Sequence, residues 1–75
     1  MSLEYLCRNA ASSIGFIHLG YIEEIRSLLR RMTDEEFEKE VERIKDPKLL
    51  KILWEAGLTA ERQKIVLKRL EELIR

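Results

Sequence analysis

Asp46-Pro47, Gly57 and Thr59 constrain this chain more than any other residues, because together they force two separate helices into residues 44–74. The Asp46 side chain can accept hydrogen bonds from the first free backbone N–H groups of a helix. Pro47 at the first helical position loses nothing, since its missing N–H would be unpaired there anyway. A helix is therefore predicted over residues 47 to about 56. It stops at Gly57, which can take the left-handed conformation that helix ends often require. Thr59 then caps a last helix over residues 60 to about 75. At roughly 100° per residue, Leu49, Leu50, Ile52, Leu53, Trp54 and Ala56 cover more than half of the first of these helices. Leu58, Ile65, Val66, Leu67, Leu70, Leu73 and Ile74 cover a similarly wide arc of the second.

Two charged residues break that second arc. Arg62 and Arg69, seven residues apart, project onto the apolar side rather than the solvent side held by Lys64, Lys68, Glu71 and Glu72. One account is intramolecular: Arg62 pairs with Asp46 or another acidic neighbour while its stem packs on the core. The other places one or both of Arg62 and Arg69 at an interface, where arginine is enriched. The pattern over residues 36–73 resembles a HEAT-like repeat, an outer helix ending in I-x-D-P-x-L-L followed by an inner helix with Arg near its start. The residues that carry the likeness are Ile44, Asp46, Pro47, Leu49, Leu50, Arg62, Val66, Arg69 and Leu70. The resemblance spans about half the chain and one repeat. It implies antiparallel helix hairpins, an Asp and an inner-helix Arg supporting the turn between helices, and a protein-binding role.

Upstream, Ser2 can cap a first helix, and Leu3, Leu6, Cys7, Ala10, Ile14 and Ile17 fall on one stripe, predicting helix over residues 3 to about 18. Ser12-Ser13 and Gly15 weaken that expectation. Gly20 marks a break or a kink, with helix resuming over residues 21 to about 32. A single helix over residues 3–32 is the alternative, since Cys7, Ile14, Tyr21 and Leu28 keep a seven-residue spacing. Thr33 and Glu36 form a capping box for a helix over residues 34–45, with a narrow stripe of Phe37, Val41 and Ile44. The weakly polar run over residues 10–22 is shorter than the roughly 20 residues a membrane span needs. It also lacks the basic leader of a signal peptide.

The chain has 75 residues, near the size where one core is barely sufficient. Hydrophobic residues make up 45% and charged residues 37%, too apolar for disorder and too charged for a membrane protein. Basic and acidic side chains balance at 14 each, so no global charge pulls the chain toward nucleic acid. The neutrality hides blocks: residues 33–46 carry seven acidic and three basic side chains, residues 47–75 seven basic and four acidic. An acidic helix lying beside basic ones would satisfy both. The wealth of Glu, Lys, Arg, Leu and Ile suits a thermophile, although it also suits any charged helical protein.

No reaction centre is visible. Cys7 and His18 are the only soft metal ligands, and two ligands cannot fill a tetrahedral zinc site. Eleven residues apart on one helix, they would lie roughly 16 Å apart along its axis, out of reach for a nucleophile pair. Glu35, Glu36, Glu38, Glu40 and Glu42 read as a solvated face, since dimetal carboxylate bundles pair Glu with His on core-facing positions. No phosphate loop, dinucleotide motif or nucleophile elbow is present.

These features point to an all-α single domain over residues 1–75, with four to five short helices in a compact antiparallel bundle and a HEAT-like hairpin in the C-terminal half. The expected core is Leu28, Phe37, Val41, Leu49, Leu53, Trp54, Val66 and Leu70. The expected function is a cytoplasmic, non-catalytic interaction module that docks on a larger protein, as a regulatory, inhibitory or accessory subunit, or self-associates. It needs no cofactor or metal, and Arg62, Arg69 and Trp54 are its candidate contacts. The alternative is a nucleic-acid-binding accessory protein using Lys48, Lys51, Lys64 and Lys68.

Overall fold

The computed structural model describes residues 2–75, arranged as five α-helices with no strand among them. They are α1 (Leu3–Ala11), α2 (Gly15–Arg31), α3 (Asp34–Arg43), α4 (Pro47–Ala56) and α5 (Ala60–Leu73). The radius of gyration is 11.4 Å, and a compact domain of this length should have about 11 Å. The all-α bundle expected from the sequence is the fold observed.

Side chains start four of the five helices. Ser2, Thr33, Asp46 and Thr59 each accept a hydrogen bond from a backbone N–H in the first turn of α1, α3, α4 and α5. The capping box is complete: Glu36 N–H donates to Thr33 Oγ1 at 3.1 Å, and Thr33 N–H donates to Glu36 Oε1 at 2.9 Å. Gly57 closes α4 with φ of 99°, a conformation that a Cβ would penalise.

The N-terminal half departs from the expectation. The break between helices falls at residues 12–14, not at Gly20, and neither a first helix reaching residue 18 nor one helix over residues 3–32 forms. The Ser12 and Ser13 hydroxyls both donate to the Asn9 carbonyl, at 3.1 and 2.8 Å. The Ser13 hydroxyl thus takes the place its own amide would fill in a continuing helix, a competition that short polar side chains often win. Gly15 then takes φ of 62°, which turns the chain into α2. Gly20 sits inside α2 with open space where a Cβ would be. Its propensity cost of about 1 kcal/mol is offset by burial of Ile22, Ile25 and Leu29 on the opposite side.

α1 packs most extensively against α2 and then against α4, while α3 packs against α5. The core joins Leu3, Leu6, Cys7 and Ala10 of α1, Ile22, Ile25 and Leu29 of α2, and Phe37 and Val41 of α3. Ile44, then Leu49, Leu50, Leu53 and Ala56 of α4, and Val66 of α5 complete it. Of the expected core residues, Leu28 and Leu70 only border it. Trp54 does not belong to it and is 41% exposed. The buried side of α4 faces α1 and α2, and Trp54 is turned off it toward α5. Ile14 and Ile17 also leave the α1 stripe, because the corner at residues 12–14 carries them to the surface.

Basic side chains close the other helix ends. Each of the first four helices ends under a basic side chain carried by a different helix. His18 of α2 meets the Ala10 carbonyl of α1 at 2.7 Å. Arg62 of α5 donates to the Leu29 and Met32 carbonyls at the end of α2. Arg69 of α5 donates to the Ile44 carbonyl after α3, at 3.1 Å, and Arg26 of α2 to the Ala56 carbonyl of α4, at 3.0 Å. Helix C-termini carry unpaired carbonyls and partial negative charge, so a cation there satisfies both at once. Among the described residues, no buried side-chain nitrogen or oxygen lacks a partner.

Candidate interaction surface

The chain has no Asp, Glu, Lys or Arg between Arg8 and Glu23, although such residues make up 37% of the whole. This run without Asp, Glu, Lys or Arg builds the α1–α2 corner and the first turn of α2. Within residues 11–20, only Ser13 and His18 are not exposed. Phe16 is 92% exposed, Ile14 87%, Ile17 66% and Leu19 56%. Isolated exposed apolar residues are ordinary; here four fall within six positions.

α2 is also the one helix without a side-chain cap, because Ile14 stands at the N-cap position and offers no acceptor. What fastens its first turn is His18. One ring nitrogen meets the Ala10 carbonyl and the other meets Glu55 Oε1 of α4 at 3.0 Å. The Ala10 bond first, then the Glu55 bond and charge, raise the His18 pKa above the ordinary imidazole value.

A second apolar surface lies between α4 and α5. Leu50, Trp54, Leu67 and Leu70 line an open groove of about 410 Å³, with Lys51 and Glu55 at its rim. Trp54 therefore stands at a surface groove. Glu55 belongs both to this groove and to the His18 contact, which places the groove beside the base of the corner.

Nothing in comparisons with protein-family models, curated proteins or solved structures matches this chain.

Arg62 and Arg69 do not meet Trp54 in one site. Arg62, with 12% of its side chain exposed, donates to Asp34 Oδ1 at 2.8 Å as well as to two carbonyls. Arg69 pairs with Glu72 at 3.6 Å besides its bond to Ile44. Both guanidinium groups are thereby spent on joining helices. Asp46 instead accepts from Lys48 N–H as the α4 cap. The four lysines are not gathered in one cleft. Lys51 lines the α4–α5 groove, while Lys68 lines a groove between α3 and α5 beside Glu38, Glu42 and Glu72. Lys64 stands 3.9 Å from Glu61, and Lys48 is exposed.

Cys7 is buried in the core, and burial pushes its thiol up to about 12, with the Glu4 charge adding to the shift. That is the environment of an inert thiol. Among the described residues, no three His, Cys, Asp or Glu side chains group as a metal site would require, and no helix is long and apolar enough to cross a membrane.

The exposed corner was hidden in the sequence by its own periodicity. Ile14 and Ile17 continue the spacing of Leu3, Leu6 and Ala10, so they look like core. The signals against that were Ser12-Ser13, Gly15 and the lack of charge from residue 9 to residue 22.

Proposed function

We propose that this chain is a non-catalytic interaction module whose α1–α2 corner inserts into an apolar pocket of a partner protein. The observation that carries this is Phe16, 92% exposed on the first helical turn of α2 and flanked by exposed Ile14, Ile17 and Leu19. Burying one such side chain is worth roughly 1.5–3 kcal/mol, and aromatic anchors of this kind dominate many protein interfaces. The absence of lysine and arginine from residues 9–22 favours an apolar protein surface over nucleic acid or an anionic membrane, both of which reward basic side chains. The α4–α5 groove around Trp54 extends the same contact.

The test is affinity capture from the source lysate with the wild-type chain and with Phe16→Ser, each with and without nuclease. The substituted side chain is exposed, so circular dichroism should show both baits equally folded. The expected result is a stoichiometric protein recovered from nuclease-treated and untreated lysate by the wild type and lost with Phe16→Ser. A concentration-dependent dimer abolished by Phe16→Ser would make the partner a second copy. Capture that needs intact nucleic acid, or that ignores Phe16→Ser, would overturn the proposal.

A further inference from the structure

We infer that His18 is a proton-operated pin: protonated, it ties the first turn of α2 to α1 and α4, and loss of the proton frees the apolar corner. Both contacts are made at once only by the protonated ring. A carbonyl oxygen only accepts, so His18 Nδ1–H must be the donor to Ala10 at 2.7 Å. An ionised carboxylate also only accepts, so the 3.0 Å contact with Glu55 needs a second proton on Nε2. A neutral imidazole has one N–H and can satisfy one of these contacts. The other becomes a lone pair facing an oxygen.

The surroundings favour the cation on balance. From α1 the ring meets the Ala10 carbonyl, at the negative end of that helix. From α4 it meets Glu55, also in a last turn, with Lys51 one turn earlier as the opposing charge on the shared groove. On α2 itself no charged residue precedes Glu23, and Glu23 pairs with Arg26 at 2.8 Å. The positive end of α2 works against the cation. His18 is also one of the four cationic closures of helix ends, and it alone can titrate near neutral pH.

The consequence is local because the corner has little else to hold it. α2 lacks a cap, and no side chain in residues 11–20 is fully buried. The folded-state pKa is raised, so the pin is fully present below the ordinary imidazole value of about 6.5 and is lost as pH rises through the higher folded value. Only the effect of the freed corner on a partner rests on the docking proposal; the pin is read in the free protein.

The test combines imidazole nitrogen chemical shifts with amide hydrogen exchange, corrected for intrinsic rates, from about pH 5.5 to about pH 8.5. Wild type, Glu55→Gln and His18→Gln are compared. The expected wild type has both ring nitrogens protonated at the acid end, and protection at residues 18–22 falls at least about tenfold as the ring titrates. In Glu55→Gln, whose exposed site leaves the core intact, the imidazole pKa and the protection step should move down together. In His18→Gln the step should vanish. A neutral imidazole at the acid end would overturn the pin, and so would a step that persists in His18→Gln. If His18→Gln fails to fold, the wild-type nitrogen shifts and the Glu55→Gln displacement decide.

Discussion

The guanidinium carbon of Arg62 lies 5.1 Å from the centre of the Phe37 ring, so a cation from α5 roofs the only buried aromatic among the described residues. The same side chain donates to Asp34, to Leu29 and to Met32. One residue therefore ties α5 to α3 and closes the end of α2. The cation–π contact adds about 0.5–2 kcal/mol in such settings, and the charge-assisted bonds to carbonyls are each worth more than neutral ones.

Arg62→Ala should lower stability by about 3 kcal/mol, since it strips partners from two carbonyls and uncovers Phe37. At roughly 4–8 °C per kcal/mol for a domain this small, the melting temperature should drop well over ten degrees. Arg62→Lys keeps the charge but not the three-way fork, and should recover less than half of the loss. Urea unfolding of the three proteins checks this; a cost below about 1 kcal/mol for Arg62→Ala would show that the fork is dispensable.

The capping box predicts an acid-sensitive helix start. The Thr33 N–H, then the Thr33 hydroxyl, hold the Glu36 carboxyl below the usual carboxylate range, and Lys39 adds to the effect. A depressed folded pKa means stability that is present above the ordinary value and lost as pH falls through the folded one. The stability gap between wild type and Glu36→Ala should therefore shrink on acidification. Thr33→Ala should cost about 1 kcal/mol and move the Glu36 carboxyl only part of the way back up, because the residue 33 backbone N–H remains, as carboxyl NMR titration would record.

Cys7 should be silent toward thiol reagents in the native protein. A thiol pushed to about 12 holds only about one part in ten thousand as thiolate at pH 8. Alkylation should then proceed only through opening of the core, and added urea should accelerate it along the unfolding curve. Rapid labelling without denaturant would contradict the buried site.

Much of the fold was legible because it is written in local chemistry. Asp46-Pro47, Gly57, Thr59 and the Thr33–Glu36 box act within three or four residues of their own position, and each sits at a helix end in the structure. Trp54 misled because a helical projection shows how wide an apolar arc is, not which part of it a neighbour covers. Ile14 and Ile17 misled for a related reason. Their spacing continues the α1 stripe, but two serine hydroxyls outcompete the helix before it reaches them.

The sequence by itself determined the helical class, four of the five helix starts and the anomaly of Arg62 and Arg69, since capping, propensity and periodicity operate over one or two turns. Tertiary structure alone decided what the basic side chains do. His18, Arg26, Arg62 and Arg69 reach carbonyls between 8 and 33 residues away. No pattern along the chain encodes such a distance, because it depends on how separate helices come to lie together. The same packing leaves Phe16 in water: α1 and α4 cover the inner side of α2 at Ile22 and Ile25, and nothing among the described residues reaches the corner beyond His18.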